Sequence, residues 1–589
     1  MLKQTSTNIM AIAKELGINP IITGLLVHRG IKEPKEIRSF LTASVTDLHD
    51  PKLMKDMNKG VELIKAAISK GEKILIYGDY DVDGVVSTYI LLRGLLRCGA
   101  LVDYHIPDRE SEGYGMNSER VAIINTQGFQ TILTCDNGIA AFEQIKLAKE
   151  LGMNVIVTDH HDIPFVEQEG VKKYIVPEAD AVINPKQQDC SYPFKCLCGG
   201  AIALKFIQCL YDAMNISVDE CEEFIQYAAI STICDVVDLI DENRIIAKEG
   251  LKMLNSTENL GLKALIAECG LDKKVIGAYH IGFIIGPCIN ATGRLESAKL
   301  SVEMLLSNNA EQAAEMAKRL RNLNEERQSI TVSSVERIVD SIEKHYEKRD
   351  KVLVIYDEET HESIAGIVAG RVKEYYNLPT IVLTKGKEMP KGSGRSIENY
   401  NMFEELVKCK DLLEKFGGHP MAAGLSIRRE NIELLRQRLN ENCALTPADS
   451  QPKVRIDQRL PLKYVSFGLV EEINKLEPFG KGNPSPVFAE KNVVIERVSL
   501  LGKEKNVLKF LIRNEESFSK IYGICFDTSG SVKEAMLKAY GTESYEKIIR
   551  GLFRSINADI IYYPDINEYN GATSLQLVIK DIRFSGTVS

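Results

Sequence analysis

Residues 74–88 constrain the fold more than any other stretch, because they join a buried strand to a helix through an acidic turn. The first four residues are apolar, which predicts a buried strand, and Gly78 ends that strand. Three aspartates then follow at alternate positions: Asp79, Asp81 and Asp83. Gly84 closes the turn, and the apolar pattern after it predicts a helix over residues 85–97.

Three carboxylates within five residues repel one another strongly unless a cation lies among them. Hard oxygen ligands at this density suit Mg²⁺ or Mn²⁺. An acidic surface turn or an EF-hand fragment is the alternative interpretation. An EF-hand loop, however, follows a helix and ends on a glutamate at its twelfth position, and this turn has neither feature. The pattern therefore predicts a divalent-cation site.

The chain has 589 residues, a length that predicts three or four domains. No apolar run reaches the roughly 18 residues of a membrane span, and no apolar signal region is visible at the N-terminus. We therefore expect a cytoplasmic protein that does not contact a membrane. The net charge of −9 argues against a broadly basic surface for duplex binding, but it leaves a local basic groove open.

The thirteen cysteines are expected to be reduced thiols, because nothing in the sequence indicates an oxidising compartment. The closest group is Cys190, Cys196 and Cys198. Its spacing is not that of a zinc site. The Gly-Gly pair after Cys198 instead predicts small core residues that enter a helix.

Residues 74–185 alternate strand and helix patterns in the manner of a parallel α/β sheet. Four strands are predicted after the first: residues 101–106, 131–135, 154–158 and 181–183. Asp136 follows the third strand of this sheet, and Asp159, His160 and His161 follow the fourth. Each alone would indicate an ordinary turn. Since the carboxyl ends of parallel strands meet at one edge, we expect these side chains to converge on the acidic turn.

Asp235 lies near the end of a helix predicted for residues 219–239, between Cys234 and Val236. An apolar setting of this kind penalises an unpaired charge. The carboxylate either meets water at the helix end or supplies a further metal ligand. The nearby cation site favours the ligand.

Beyond the first sheet, the sequence predicts a long helix or two, a second α/β unit and a small barrel. The helical pattern covers residues 301–349, and the second unit has a strand at 352–356, a helix at 363–375 and a strand at 380–383. Two glycine-rich segments follow, 392–396 and 416–424, whose bare backbone amides would form a phosphate clamp with Ser393 and Arg395.

Short strands after about residue 450 predict a β-barrel in the manner of an OB-fold. Four aromatic residues there are either stacking platforms for a single strand or members of the barrel core: Phe479, Tyr522, Phe526 and Tyr562. The short helical patterns of residues 1–50 are expected to pack on the segment that follows them.

Four segments together resemble the motifs of the DHH phosphoesterases: residues 78–84, 136–138, 159–161 and Asp235. The two glycine-rich segments are similar to the DHHA1 domain that accompanies those motifs. Three further segments narrow the resemblance to the RecJ-type exonucleases of this family, which degrade single-stranded DNA from its 5′ end: residues 106–115, 290–295 and 477–484.

The resemblance covers nearly the whole chain from about residue 50, and together with the helical patterns before that point it predicts five parts. They are an N-terminal helical segment (1–50), a parallel-sheet DHH catalytic domain (51–297), a long connecting helix (298–349), a second α/β domain of the DHHA1 type (350–447) and an OB-fold-like nucleic-acid-binding barrel (448–589).

The resemblance also implies a two-metal site for Mn²⁺ or Mg²⁺. Asp79 and Asp81 would hold one metal, Asp83, His160 and Asp235 the other, and Asp136 would bridge them. His161 would face the scissile phosphate, and Asp159 would orient one of the two histidines. Some relatives have a metal-binding histidine where this chain has Tyr77, so the ligand set of the first metal stays open.

The implied substrate-binding residues are Arg109, Tyr114, Arg294, Ser393, Arg395 and His419. The implied activity is hydrolysis of single-stranded DNA from the 5′ end to mononucleotides in DNA repair and recombination. Single-strand-binding protein and a RecQ-type helicase would be partners of a monomeric enzyme. The alternatives are a DHH phosphodiesterase for short oligonucleotides or cyclic dinucleotides, an inorganic pyrophosphatase, and a catalytically silent scaffold at replication forks. The complete set of ligand residues argues against the scaffold.

Overall fold

The computed structural model describes residues 7–109, 111–113, 115–168, 171–345, 350–451, 453–502, 506–513, 520–527, 530–569 and 571–585. The chain forms two compact units. One comprises residues 49–237 and 246–453, and the other comprises residues 1–48, 238–245 and 454–589.

The first helices belong to the unit that contains the end of the chain: α1 (Ile9–Leu16), α2 (Pro20–His28) and α3 (Pro34–Thr42). Asn8 and Asn19 cap the first two helices with their side-chain oxygens. Leu25, Leu26 and Ile37 are fully buried in one apolar core with Phe488 of the barrel. The expectation that these helices pack on the segment after them is therefore wrong.

The larger unit is built on a parallel sheet of five strands, beside a two-stranded hairpin. The strands in chain order are β1 (Lys73–Tyr77), β2 (Leu101–His105), β3 (Thr131–Cys135), β4 (Asn154–Thr158), the hairpin β5 (Phe165–Gln168) and β6 (Val171–Tyr174), and β7 (Ala181–Ile183). The sheet order is β2-β1-β3-β4-β7, with all pairs parallel. The predicted sheet is confirmed, and its strand ends share one edge.

Helices surround this sheet: α4 (Met57–Lys70), α5 (Val82–Arg97), α6 (Ser118–Thr126), α7 (Phe142–Glu150), α8 (Gly199–Ala213) and α9 (Ile225–Cys234). Helix α8 begins after Cys198, as the sequence predicts, and α5 is buried along most of its length. The helix predicted for residues 219–239 is shorter. A 3₁₀ segment, Val218–Phe224, precedes α9, which ends immediately before Asp235.

A run of helices leads to the second sheet: α10 (Asp241–Leu254), α11 (Leu260–Glu268), α12 (Ala278–His280), a π-helical turn (Ile281–Ile285), α13 (Gly286–Leu295), α14 (Lys299–Leu306) and α15 (Ala310–His345). The predicted connecting region is thus two helices, of which α15 has 36 residues.

The second sheet has five strands in the order β11-β12-β10-β9-β8. Its elements in chain order are β8 (Leu353–Tyr356), α16 (Ala365–Tyr376), β9 (Thr380–Thr384), β10 (Lys391–Arg395), α17 (Met402–Val407), β11 (Leu413–His419), β12 (Ala422–Ile427) and α18 (Ile432–Asn442). The glycine-rich segments are strands. Because β10 pairs with β9 on one side and β12 on the other, its amides serve the sheet, and the expected clamp of bare amides is wrong for this segment. Among the described strands, β11 lies at the edge of the sheet and pairs with β12 alone.

The C-terminal part is a barrel whose six-stranded sheet has the order β13-β14-β15-β16-β18-β17 and closes through β14 and β17. Its elements are β13 (Gln458–Arg459), α19 (Phe467–Asn474), β14 (Phe488–Leu501), β15 (Val507–Arg513), β16 (Lys520–Phe526), α20 (Ser531–Ile549), β17 (Ile556–Tyr569) and β18 (Ala572–Ser585). The barrel agrees with the prediction. Helix α20 was not predicted, because its buried residues are few and Gly541 interrupts the helical backbone.

No single helix among the described residues is long and apolar enough to cross a membrane. Helices α1 and α2 together meet that criterion by length and composition alone, and they meet at a bend of 119°. All thirteen cysteines lie in the described part of the chain, and no disulfide links them.

Candidate metal centre and phosphate cavity

The acidic turn is fixed by the way in which α5 begins. Asp81 caps the helix, and its Oδ1 accepts a hydrogen bond of 3.1 Å from the N–H of Gly84. A Cβ on Gly84 would lie 2.4 Å from the carbonyl oxygen of Asp79, so only glycine allows this tight turn. Asp79 and Asp83 are both 2 % exposed. The tight turn before α5 therefore buries the side chains of Asp79 and Asp83.

Helix α13 contacts the turn from the other side. The side chain of Asn290 accepts a hydrogen bond of 3.2 Å from the N–H of Val82, the first residue of α5. A Cβ on Gly293 would lie 2.3 Å from the carbonyl oxygen of Tyr80. These contacts give residues 290–295 a structural role that their position in the sequence does not reveal: they support the acidic turn.

The carboxylate of Asp83 is held by backbone amides at the start of α8. The N–H groups of Gly199 and Gly200 each donate to it at 2.7 Å, and the hydroxyl of Ser231 donates a further short hydrogen bond. A helix N-terminus favours a negative charge. The arrangement keeps this carboxylate in place with its free lone pairs directed at its neighbours.

His160 lies in contact with acids from three elements. Its Nε2 is 3.0 Å from Oδ1 of Asp136 and 3.5 Å from Oδ2 of Asp83, and its Nδ1 is 3.7 Å from Oδ2 of Asp235. Asp136 follows β3 with a positive φ of 59°. The predicted convergence of strand ends is therefore present in the structure.

Asp159 orients His161 rather than His160. Its Oδ1 is 2.8 Å from Nδ1 of His161 and accepts hydrogen bonds from the backbone N–H groups of both histidines. Its Oδ2 accepts a hydrogen bond of 2.9 Å from the N–H of Ile139. The side chain of His161 is 44 % exposed, whereas Asp159 is buried. His161 thus faces the open side of the cluster.

The cluster provides three groups of donor atoms, each with its atoms within 4.8 Å of one another. The groups are Asp79 with Asp81 and Asp136, Asp83 with His160 and Asp235, and Asp136 with His160 and His161. Among the described residues, the buried Oδ1 of Asp79 has no hydrogen-bond partner. A buried carboxylate oxygen without a hydrogen-bond partner, next to other acids and an imidazole, belongs to the kind of ligand set that binds Mg²⁺ or Mn²⁺. The residues therefore fit divalent cations.

Burial and mutual repulsion strongly perturb these acids. Burial, followed by the charge of Asp81, raises the pKa of Asp79 to about 8. Burial and the charge of Asp83 raise the pKa of Asp235 to about 8 and likewise raise the pKa of Asp81. The pKa of Asp136 lies well above its usual range for the same reasons. Bound divalent cations would offset the free-energy cost of ionising these buried carboxylates.

The two histidines titrate in opposite directions. Burial lowers the pKa of His160, and the nearby charge of Asp83 only partly offsets this. Burial also acts on His161, but the hydrogen bond to Asp159 outweighs it and raises the pKa of His161 to about 9. Burial opposes the ionisation of Asp159, yet the same hydrogen bond brings its pKa down to about 2. His161 is therefore a cation at neutral pH, and His160 is the neutral imidazole.

Tyr77 belongs to the core and not to the donor groups. It is fully buried, its hydroxyl accepts a hydrogen bond of 3.2 Å from the N–H of Asn117, and its ring stands edge-on to His105. Burial raises its pKa well above the ordinary value. The position that holds a histidine in some relatives is thus occupied by a packing residue.

A cavity of about 360 Å³ lies beside the metal centre, within the same unit. Arg109 from the first α/β domain lines it together with residues of the second: Glu362, Lys391, Ser393, Lys415 and Phe416. The guanidinium of Arg109 lies 5.1 Å from the centre of the Tyr80 ring, inside the acidic turn. Arg109 thus links the cavity to the acidic turn. The lining contains three cations and one acid, and Nζ of Lys391 lies 2.7 Å from Oε1 of Glu362.

Further arginines surround this region. Arg294 donates from Nη1 to the carbonyl oxygen of Ser363 at 2.6 Å. Burial, followed by the charges of Arg109 and Arg327, lowers the pKa of Arg294 to about 10. Burial also lowers the pKa of Arg395, whose guanidinium packs so closely on Gly366 that a Cβ there would lie 2.6 Å from Nη2. Cations that repel one another in this way suit a phosphate ligand.

The remaining predicted site residues differ in their surroundings. His419 is exposed at the end of β11 and does not line the cavity. Tyr114 lies outside the described residues. In the barrel, Tyr562 is fully buried and its hydroxyl donates to the carbonyl oxygen of Leu460, so it is core and not a stacking platform.

The other three barrel aromatics are more accessible. Phe479 is partly buried against the ring of Tyr563. Tyr522 and Phe526 are 43 % and 64 % exposed on β16, and Nζ of Lys509 lies 4.1 Å from the centre of the Tyr522 ring. These two rings remain available to a ligand.

Sequence reasoning missed several residues that complete the site. Ser231, Gly199 and Gly200 hold Asp83, and Arg327 of α15 acts electrostatically on Arg294. The Gly-Gly pair before an apolar helix was the one available signal for the amide donors. Ser231 and Arg327 lie on helices whose patterns indicate packing alone, so no local signal could have identified them.

Three family models match the chain: "DHH family, N-terminal domain" at residues 73–232, "DHHA1 domain" at 349–445 and "RecJ OB domain" at 456–581. The first two models cover the two α/β domains that form the metal centre and the cavity. The class of protein that they define is the DHH family with an accompanying DHHA1 domain.

Relatives that match nearly the whole chain narrow this class further. The chain is 37 % identical to the single-stranded-DNA-specific exonuclease RecJ of Bacillus subtilis, over 98 % of this chain and 70 % of the relative. It is 31 % identical to the protein of the same description from Salmonella typhimurium, over 96 % of each. The crystal structure of RecJ in complex with Mn²⁺ from Thermus thermophilus has a TM-score of 0.79 at 25 % identity, over 99 % of this chain and 78 % of that one. The chain belongs to the RecJ family.

Proposed function

We propose that this chain is a metal-dependent exonuclease that hydrolyses single-stranded DNA from its 5′ end to mononucleotides. The observation that carries the proposal is the cluster of five buried or partly buried aspartates and two histidines at one sheet edge, next to a cavity lined by cations. Membership of the RecJ family, whose named members are single-stranded-DNA-specific exonucleases, supports it.

In the proposed site, Asp79 and Asp81 would hold one cation, and Asp83, His160 and Asp235 would hold the other, with Asp136 between them. Mn²⁺ or Mg²⁺, the ions named for RecJ structures, would polarise the phosphate and activate water. The neutral state of His160 suits a ligand, because a lone pair is available. The amides of Gly199 and Gly200 would keep Asp83 oriented during turnover.

His161 has a different proposed role. As a cation that Asp159 holds at 2.8 Å, it would donate a hydrogen bond to a phosphate oxygen on the open side of the cluster. Its proton would then be positioned near the leaving oxygen. We propose that it stabilises negative charge that develops during hydrolysis.

The cavity would hold the terminal phosphate and so fix the direction of degradation. Arg109 and Ser393 line the cavity. Arg294 of the first α/β domain contacts Ser363 of the second, and Arg395 of the second domain packs on Gly366. Guanidinium groups bind phosphate oxygens in pairs, which makes them selective for a phosphorylated end. His419 would reach the substrate only if the strand extended beyond the cavity.

The barrel would add affinity for the single strand through Tyr522, Phe526 and Lys509. We assign one role to each of three predicted parts: catalysis to residues 51–297, recognition of the 5′ end to residues 350–447 and binding of the single strand to residues 448–589. We further propose a cytoplasmic monomer that receives substrate from single-strand-binding protein and a RecQ-type helicase.

Digestion of a 3′-labelled, 5′-phosphorylated single strand beside the matching blunt duplex, in Mn²⁺, tests the proposal. We expect progressive shortening of the single strand from its 5′ end, an intact duplex, and no activity in Asp136→Asn. Asp189→Asn removes an exposed acid that pairs with Lys55 and should behave like the wild type. Hydrolysis confined to di- to pentanucleotides would favour the oligonucleotide phosphodiesterase instead. No cleavage in Mn²⁺ or in a parallel reaction with Mg²⁺ would refute both.

A further inference from the structure

Two large aromatic side chains are stacked on the surface just before α13. Tyr279 and Phe283 are 66 % and 70 % exposed, and their ring centres lie 5.1 Å apart with an angle of 27° between the planes. Phe283 lies on the π-helical turn, a rare conformation that often marks functional sites. Neither ring contributes to the core, so the packing of the protein does not explain this pair.

The exposed segment that precedes the pair in the chain carries one acid, Asp272, two lysines and a valine. Val275 is 82 % exposed, and Lys273 and Lys274 are exposed immediately before it. Within the part of the chain that the structure describes, neither lysine is found in an ion pair. Exposed aromatic rings with lysines a few residues away in the chain form a combination that suits single-stranded nucleic acid, because the rings stack on bases and the lysines attract phosphates. An apolar protein partner would not require the lysines.

The turn that carries Phe283 packs on the helix that leads into the metal centre. The π-helical turn packs on the last turn of α9: the thiol of Cys234 donates to the carbonyl oxygen of Ile281 at 3.8 Å. A Cβ on Gly286 would lie 2.4 Å from Sγ of Cys234. Asp235 is the next residue of the chain. The turn that carries Phe283 therefore contacts the residue before Asp235, while the two rings themselves face solvent.

Helix α13 gives the order of these features. Its last turn carries Arg294, which contacts the second α/β domain, and Asn290 in its middle contacts the acidic turn. Gly286 at its start contacts Cys234, and Phe283 lies beyond it. At 1.5 Å per residue, Gly286 and Arg294 are about 12 Å apart along the helix. Arg294, the contact with the acidic turn and Phe283 thus follow one another along α13 and the π-helical turn before it.

We propose that Tyr279 and Phe283 stack on bases of the single strand on the 3′ side of the scissile phosphate. This inference rests on the proposed function, because it places the 5′ phosphate at Arg294 and the scissile phosphate at the acidic turn. A strand held in that way continues toward the aromatic pair. Stacking there would hold unpaired bases in place, whereas the paired bases of a duplex present no free face.

The test measures the affinity of a 5′-phosphorylated oligothymidylate by fluorescence anisotropy in EDTA, for the wild type and for the double variant Tyr279→Ala/Phe283→Ala. We expect the dissociation constant to rise on the order of tenfold or more. Tyr279→Phe/Phe283→Tyr keeps both rings and should restore the affinity. Tyr375→Ala removes a tyrosine of α16 that is 65 % exposed and is the matched control.

A strand with single abasic sites placed at successive positions from the 5′ end locates the contact. We expect one or two positions at which the abasic site weakens wild-type binding but causes no further loss in the double variant. Equal affinity of wild type and double variant would overturn the inference, as would full additivity at every position. If the wild type binds the strand but cleaves nothing in Mn²⁺, the proposed function fails while the stacking inference can still be decided.

Discussion

Nδ1 of His161 lies 2.8 Å from Oδ1 of Asp159, and this contact determines the charge of both side chains. The raised pKa of His161, about 9, and the lowered pKa of Asp159, about 2, are two sides of one charged hydrogen bond. The histidine stabilises the fold below its unfolded pKa of about 6.5, and this contribution is lost as the pH rises through about 9. The aspartate contributes above about pH 4, and this contribution is lost as the pH falls through about 2.

Asp159→Asn should therefore lower the pKa of His161 from about 9 toward the ordinary value of about 6.5. The imidazole signals of the metal-free protein, followed by NMR across this pH range, measure the shift. Asp162→Asn is the matched control, since Asp162 accepts its hydrogen bond from Lys186 and acts on His161 through its charge alone, so a smaller shift is expected. An unchanged pKa in Asp159→Asn would show that another group holds the proton. Near pH 5.5 the variant should also lose about 1–2 kcal/mol of stability, because His161 is partly exposed.

Cation binding should release protons at neutral pH. The pKa of Asp79 and that of Asp235 are raised to about 8 by burial and by neighbouring acids, so both carboxyls hold protons until a cation displaces them. Calorimetric titration with Mn²⁺ at pH 7, in two buffers of different ionisation enthalpy, should show release of about one proton or more per molecule. Identical heats in both buffers would contradict the burial of ionisable acids at this site.

The same two acids predict how the stability of the metal-free protein depends on pH. In the unfolded chain they lose their protons near pH 4, but in the fold they keep them to about pH 8. Unfolding therefore releases protons, and the stability contributed by these groups falls as the pH rises from 4 to 8. The melting temperature in EDTA should be lower at pH 8 than at pH 6, and saturating Mn²⁺ should reduce the difference. A higher melting temperature in EDTA at pH 8 would refute the predicted sign.

The sequence predicted the parallel sheet and the convergence of its acids because both depend on local patterns. Strand ends are visible as apolar runs that stop at Asp136 and Asp159, and parallel topology then brings them to one edge. The glycine-rich strand β10 was misinterpreted because its composition indicates a turn. It is a strand because it forms a local hairpin with β9 and also pairs with β12, which lies further along the chain.

Contacts that depend on helices packed from elsewhere in the chain could not be predicted. The support that Ser231 gives to Asp83 joins residues that are 148 positions apart. The N-terminal helices pack into one core with the barrel, at the opposite end of the chain, because the apolar residues that share this core with Leu25 and Ile37 lie beyond residue 450. Periodicity shows that a face is apolar, but it does not show which surface will cover it.

Ser231→Ala should weaken cation binding without unfolding the protein. The amides of Gly199 and Gly200 still hold the carboxylate of Asp83, but one lone pair loses its donor and the carboxylate can rotate. Loss of such a supporting group costs about 10–100-fold in metal affinity. Mn²⁺ affinity from calorimetry measures the effect. Ser256→Ala changes an exposed serine of the same unit and serves as the control; equal affinities in all three proteins would remove Ser231 from the site.

Gly293→Ala distinguishes support of the acidic turn from mere helix formation. Alanine in place of glycine inside a helix stabilises it by up to about 1 kcal/mol, so α13 taken alone predicts a gain. The new Cβ would, however, lie 2.3 Å from the carbonyl oxygen of Tyr80, and a contact with backbone cannot be relieved by a rotamer change. We expect a loss of about 1–3 kcal/mol of stability and a large fall in activity as α13 moves away from the turn. Gly370→Ala in α16, where no atom lies within 4 Å of the new Cβ, should be neutral or stabilising. If chemical denaturation shows that both variants gain stability, α13 does not hold the turn.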